Sequence, residues 1–377
     1  MKPFRAATFF GVPLFVTPGG FLLLGGIAVL LALNVYPEVY EDGSTGVHLA
    51  MAIASAVLFV FTIALHELAH CLAARKFHAQ VKSVTINFLG GVSQISRESK
   101  TPVEELLVAG VGPVTNLVIA VGLLGAWRML GSPNDSAGAI VVVWLGSMNA
   151  AIAVLNFVPA FPLDGGRIFR SLAWMATKNP SRATQATAWV TRAVAWAMMA
   201  AGAAVLTGAD LVIAASPSSG VWLIFIGFFL SNAASQALFR DRLSTELDRY
   251  SAGELMSNPP VVQSSASVGS LARGVLEINP RVCYFVEDEG RLAGIISAYQ
   301  MREVPLAQWD STSAGEVMIP RAKLQPTTAD RGLSQVLLEM ENADITHMPV
   351  VTDGRVVGVI GRDRILGVLQ KAGLLGR

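Results

Sequence analysis

Six mainly apolar runs, at about 19–36, 49–74, 105–130, 139–160, 185–207 and 220–239, constrain this chain more than any other feature. A helix needs roughly 20 such residues to cross about 30 Å of hydrocarbon. Helices also satisfy their own backbone hydrogen bonds in lipid. The runs therefore predict an α-helical polytopic membrane domain of six transmembrane helices. Charge agrees with this. Residues 1–240 hold 14 Lys/Arg and 10 Asp/Glu, while the shorter stretch 241–377 holds 14 and 17. The first density is far below that of a soluble surface and the second is ordinary. The expected organisation is a membrane domain at 1–240, a linker at 241–252 and a soluble α/β tail. Hydrophobic residues make up 53% of the chain, which excludes disorder. A net charge of +1 offers no global field that would draw nucleic acid, so no direct nucleic-acid partner is expected. Cys71 and Cys283 suggest no disulfide framework and a reducing compartment for the tail. The first run has no cleavage-like small-residue site ahead of a soluble domain, so it is expected to be retained.

Lysine and arginine set the orientation. Lys2 and Arg5 precede the first run, and Arg75, Lys76, Lys82, Arg97 and Lys100 follow the second. Arg167, Arg170, Lys178 and Arg182 follow the fourth, and Arg240 and Arg242 follow the sixth. The other side offers Arg128 beside Glu38, Glu41, Asp42, Asp135 and Asp210. The positive-inside rule then places both termini in the cytoplasm, across a cell (inner) membrane, and six spans satisfy that parity.

An ionisable group at mid-bilayer costs at least about 2.5–3.5 kcal/mol, so such groups mark function. The second run contains His66-Glu67-Leu68-Ala69-His70. Positions i and i+4 share a helix face, so both imidazoles can reach one metal. Glu67 projects beside them, where it can hold a water. Two imidazoles at this spacing suit zinc, whose bound water is acidic enough to attack near neutral pH. A catalytic zinc needs a third protein ligand. After the fourth run comes Asn156-Phe-Val-Pro159-Ala-Phe-Pro162-Leu-Asp164-Gly165-Gly166-Arg167, in which Asp164 is the one carboxylate between Asp135 and Asp210. It lies where prolines and glycines unwind a helix end, and could equally be an interfacial turn residue.

Together, H-E-x-x-H in a second span and N-x-x-P-x-x-P-L-D-G-G after a fourth resemble the site-2 protease family of intramembrane zinc metalloproteases. The resemblance covers about residues 1–240 and includes Gly112-Pro113-Val114-Thr115-Asn116. It implies one Zn2+ per chain held by His66, His70 and Asp164, with Glu67 as general base. It also implies cleavage of a membrane-tethered regulatory protein, such as an anti-sigma factor or a tethered transcription factor, within or near the bilayer. Asn156 is then a donor to the substrate backbone or oxyanion, or else a cap on the broken helix. Residues 81–95 are β-rich with a Gly90-Gly91 break. They suit a membrane-associated hairpin whose edge pairs with an extended substrate, or a plain cytoplasmic hairpin.

The tail repeats itself. Gly253-Glu-Leu-Met256 recurs as Gly315-Glu-Val-Met318, and Phe285–Ser297 recurs as Val350–Gly361. This resembles a tandem pair of CBS (cystathionine-β-synthase) domains at 253–311 and 312–377, implying regulation, homodimerisation or substrate capture. Such pairs often bind adenine nucleotides through G-h-h-[ST]-x-x-D. Here Gly294-Ile-Ile-Ser297-Ala-Tyr-Gln300 replaces the Asp with Gln, and Gly358-Val-Ile-Gly361-Arg-Asp-Arg364 lacks both hydroxyl and Asp, which argues against a nucleotide. A CBS-gated transporter or channel is the rival function. It would need polar residues spread over several spans, whereas here they converge on one constellation.

Overall fold

The computed structural model describes residues 3–88, 90–95, 99–131, 136–209, 217–275, 283–353 and 355–374. Lys2, Arg97, Asp135 and Asp210, used above for orientation, lie outside the described residues. The chain divides into two compact units, Met1–Asp241 and Arg242–Arg377.

In the first unit, β1 (Phe4–Phe9) and β2 (Val12–Val16) precede α1 (Pro18–Val39) and α2 (Thr45–Lys76). There follow β3 (Val81–Asn87), β4 (Gly90–Ile95), α3 (Pro102–Met129), α4 (Ala137–Asn156), α5 (Asp164–Thr177), α6 (Pro180–Leu206) and α7 (Pro217–Leu247). Among the described residues, α1, α2, α3, α4, α6 and α7 are the six helices long and apolar enough to cross a membrane. Their starts are written locally. Thr17, Thr101 and Asn179 each cap a helix whose first residue is proline, their side chains accepting from Gly20, Glu104 and Arg182 N–H at 3.0–3.3 Å. Proline suits that first position because its missing N–H has no helical partner there anyway.

The fourth span stops at Asn156 rather than near 160, and α5, which sequence did not announce, begins at Asp164. Glycine explains how the connecting loop folds back so tightly. A Cβ on Gly165 would overlap the Phe157–Val158 backbone, and one on Gly166 the Ala160–Phe161 backbone. Helix α5 is then anchored from its middle. Arg170 donates to both Glu105 oxygens at 2.6 and 2.7 Å and, through Nε, to Thr184 Oγ1 at 2.8 Å. Ser171 donates to the Pro102 carbonyl at 2.5 Å. With Glu105 only 3% exposed, neither charge of this pair could be deleted alone without stranding the other, a loss of roughly 3–5 kcal/mol.

The hairpin expected at 81–95 is half of a larger element. One sheet has the order β1-β2-β3-β4, antiparallel except for the parallel β2–β3 pair. The break falls before Gly90, because Gly90 and Gly91 already pair with Asn87 and Ile86 as part of β4. The β1–β2 turn uses Phe10 and Gly11, both at positive φ (49° and 73°). Arg75, from the end of α2, donates to their carbonyls at 2.5 and 3.1 Å. Val12, Val84 and Ile86 of the sheet pack on Ala64, Leu68 and Cys71 of α2. The sheet is thereby fixed against the H-E-x-x-H turn.

In the second unit the stretch expected as a linker is structured instead. Helix α7 runs to Leu247, and Leu247 and Ala252 are buried in the tail's core with Met340, Val350 and Ile360. Apolar side chains at 243, 247 and 252 have that core to enter, which a solvated linker would not. The tail holds β5 (Val261–Gln263), α8 (Val268–Val275), β6 (Cys283–Asp288), β7 (Arg291–Ser297), α9 (Ala298–Glu303) and β8 (Ile319–Pro320). Its second half holds β9 (Thr327–Thr328), α10 (Leu333–Ala343), β10 (His347–Thr352), β11 (Arg355–Gly361) and α11 (Arg362–Lys371). The two sequence copies, the second of which includes Gly315–Met318 and Ile319, exchange edges. Ile319 pairs with Ile295 of β7, and Ser257 pairs with Val359 of β11. Burial pushes the Cys283 thiol up to about 12, so it stays protonated and inert.

Candidate metal centre

The two histidines sit on the buried face of α2, His66 7% and His70 5% exposed. Each ring is oriented through Nδ1. His66 Nδ1–H donates to Asn116 Oδ1 on α3 at 2.8 Å, and His70 Nδ1–H donates to the Val108 carbonyl at 2.6 Å. Those bonds leave each Nε2 as a lone-pair donor. The close approach of α3 depends on Gly112, where a Cβ would overlap both imidazoles. Asp164 arrives at the first turn of α5. Its Oδ2 lies 3.1 Å from His66 Nε2 and 3.3 Å from His70 Nε2, and the two Nε2 atoms are 3.1 Å apart.

Three lone-pair donors thus form a nearly equilateral triangle. Zinc bonds of about 2.0–2.1 Å in a tetrahedron put ligand atoms roughly 3.3–3.4 Å apart. Two neutral imidazoles and a carboxylate at that separation repel one another unless a cation or protons lie among them. The donor set and its spacing fit zinc, and three protein ligands leave a fourth position for chemistry.

Glu67 lies half-buried beside this triangle, against β4. Ser93 donates to its Oε2 at 2.5 Å, with the Glu67 carbonyl 3.2 Å away. Gly91 supplies the space, since a Cβ there would overlap the Glu67 side chain. A Cβ on Gly90, at φ 116°, would meet nothing within 4 Å. Asn156 ends α4 half-buried, and its side chain makes no hydrogen bond among the described residues. His48, His78 and His347 do not join the cluster.

Sequence reasoning missed Ser93 altogether and quoted Asn116 without a role. Asn116 had a signal, as a polar residue in the apolar stretch of α3. Ser93 had none, being one hydroxyl residue in a strand of several.

Fold and site together define a membrane-embedded metallopeptidase: a His-His-carboxylate triangle with an adjacent glutamate, built among long apolar helices. The comparisons make the class specific. Residues 54–132 and 134–200 match Peptidase family M50, and residues 314–371 match the CBS domain. The chain is 25% identical over 379 residues to "Putative zinc metalloprotease sll0528" of Synechocystis sp., covering 97% of this chain and 95% of that one. It is 29% identical over 314 residues to "Putative zinc metalloprotease Rip3" of Mycobacterium tuberculosis, covering 81% and 77%. A solved site-2 protease from Methanocaldococcus jannaschii aligns at TM-score 0.42 and 22% identity, over 63% of this chain and 95% of that one. The chain therefore carries a Peptidase family M50 domain among six helices long and apolar enough to cross a membrane, with a CBS domain in its tail, and it is similar along most of its length to proteins named zinc metalloproteases.

Asn116 is expected to matter through His66 alone. Asn116→Leu should lower zinc affinity about 10–100-fold with the helical circular dichroism unchanged, as read by chelator competition.

Proposed function

We propose that the protein is an intramembrane zinc endopeptidase that cleaves a membrane-tethered regulatory protein within or near the bilayer. The observation that carries this is the triangle of His66 Nε2, His70 Nε2 and Asp164 Oδ2 with Glu67 beside it. His66, His70 and Asp164 are assigned as the ligands of one zinc per chain. When bound, zinc supplies Lewis acidity, polarising a carbonyl and making water acidic near neutral pH. Glu67 takes the proton of the attacking water and passes it to the leaving amine. Asn116 and the Val108 carbonyl hold the two imidazoles in the tautomer that presents Nε2. Asn156, with no partner in the described chain, is assigned as a donor to the substrate backbone or the developing oxyanion. The outer edge of β4 has no strand beside it among the described residues. It can take an extended substrate segment, with Gly91 part of that surface.

An anti-sigma factor or a tethered transcription factor suits such a protease, and a helical substrate segment must unwind to expose its peptide bonds before attack. The protease domain is assigned to residues 1–240 and the CBS repeats to 253–311 and 312–377. The repeats serve regulation, dimerisation or substrate capture rather than nucleotide binding. In support, Gln300, which replaces the ribose-binding Asp, is engaged in a capping box with Ser297. Calorimetric titration with ATP and with AMP is expected to show no saturable micromolar binding.

Both termini are placed in the cytoplasm of a cell-membrane protein by the lysine and arginine distribution. A reporter fused after Arg242 should read as cytoplasmic, and an extracytoplasmic signal there refutes the orientation.

Glu67→Gln should retain zinc by elemental analysis and lose cleavage of a membrane-spanning reporter by at least about a hundredfold. His66→Ala should lose both. A His66→Ala protein that keeps metal and activity rules out the site.

A further inference from the structure

We propose that Ser93 is a positioning residue for Glu67, aiming the carboxylate from β4 with its own hydroxyl fixed by the Cys71 thiol. The inference rests on Glu67 being the general base and adds what sets its geometry.

Three observations on different elements meet here. On α2, Glu67 and Cys71 are four residues apart, so carboxylate and thiol lie on one face. On β4, Gly91 and Ser93 are two apart and share the face turned to α2, while Val92 points away and is exposed. Between the two elements, Cys71 Sγ–H donates to Ser93 Oγ at 3.4 Å and Ser93 Oγ–H donates to Glu67 Oε2 at 2.5 Å.

A serine hydroxyl has one proton and a free rotor. A donor on its oxygen side settles the rotor, and a carboxylate on its proton side makes the bond charge-assisted. Cys71 is fully buried against the sheet, so its thiol has little freedom to point elsewhere. With Oε2 engaged, Oε1 is the oxygen left free to accept a proton. The anchoring strand is also the last in its sheet, with its outer edge open among the described residues. The strand that would receive substrate therefore also holds the base, and a shift of β4 is passed directly to the carboxylate.

The test uses the purified full-length protein and a single-span membrane-tethered reporter that it cleaves, with zinc content, kcat and KM measured for each variant. Ser93→Ala should keep its zinc and a KM within about twofold, and lose about tenfold in kcat, as expected for one hydrogen bond to a charged group. Ser93→Thr, which keeps the hydroxyl, should recover most of the loss, and Cys71→Ala should lose only about two- to threefold. Three results overturn the proposal: Ser93→Ala with a parental kcat, a defect confined to KM, or loss of zinc. A Glu67→Gln control that still cleaves at the parental rate refutes the base assignment itself, whatever Ser93 does.

Discussion

Everything in the membrane unit answers to the meeting of three lone-pair donors in an apolar surrounding. His66 and His70 come from one helix turn, but Asp164 is nearly a hundred residues away and must be delivered within about 3 Å of both. An uncompensated carboxylate among helices would be expelled or protonated. The cation that fits these donors removes that conflict. The surrounding structure keeps the triangle from collapsing or spreading. Gly112 lets α3 come close enough for Asn116 and Val108 to engage the rings, and Gly165 and Gly166 let the preceding loop lie on the start of α5. Arg170 and Glu105 then tie the body of α5 to α3. The helix that carries Asp164 and the helix that orients the histidines are therefore one braced unit.

How much of this could be read from the residues follows from how rare each signal is. Charge is scarce in the first 240 residues, so His66, Glu67, His70 and Asp164 stood out against an apolar background. The spans were legible because each carries its own hydrophobic run, and because proline and a capping residue mark several starts. Long-range pairing was not legible. Strands β1 and β2 are short, and their sheet is completed by β3 some seventy residues later, through the parallel register Leu14–Val84 to Val16–Ile86. Nothing local in Phe4–Val16 announces that partner. Helix α5 was hidden because Arg167 and Arg170 resemble loop charges until Glu105 is seen to face Arg170. Asn116 and Ser93 are neutral, and a neutral side chain becomes informative only once its partner is located.

The tail offers the opposite case, where duplication made the architecture readable and the structure supplies its reason. Gly294 and Gly358 occupy equivalent places in the two copies. A Cβ on Gly294 would meet Met318 and the Ile319 carbonyl, and one on Gly358 would meet Met256 and the Ser257 carbonyl. Each glycine thus makes room for the segment contributed by the other repeat, at the crossing that joins the halves. The glycine opening the repeated motif is explained by packing alone, without any ligand. That weakens the inference from motif glycines to nucleotide binding, and it puts the weight on the hydroxyl and carboxylate positions, where this chain departs from the pattern.

On the proposed function, the remaining constraint comes from the substrate. A membrane-spanning helix satisfies its own backbone, so exposing a peptide bond to attack strands donors and acceptors in a medium that offers none. An open strand edge is an economical remedy, because it returns those hydrogen bonds to an extended segment one for one. The edge must lie at the reacting centre, since unwinding elsewhere gains nothing. In this chain β4 meets that condition. Its Gly91 lies against Glu67, its Ser93 bonds the carboxylate, and its outer side has no strand neighbour among the described residues. The β1–β2 hairpin, held by Arg75 from the end of α2, is what allows such a strand to exist there. An isolated two-stranded hairpin is marginal on its own, and the two added strands, packed on α2, give the edge a rigid back.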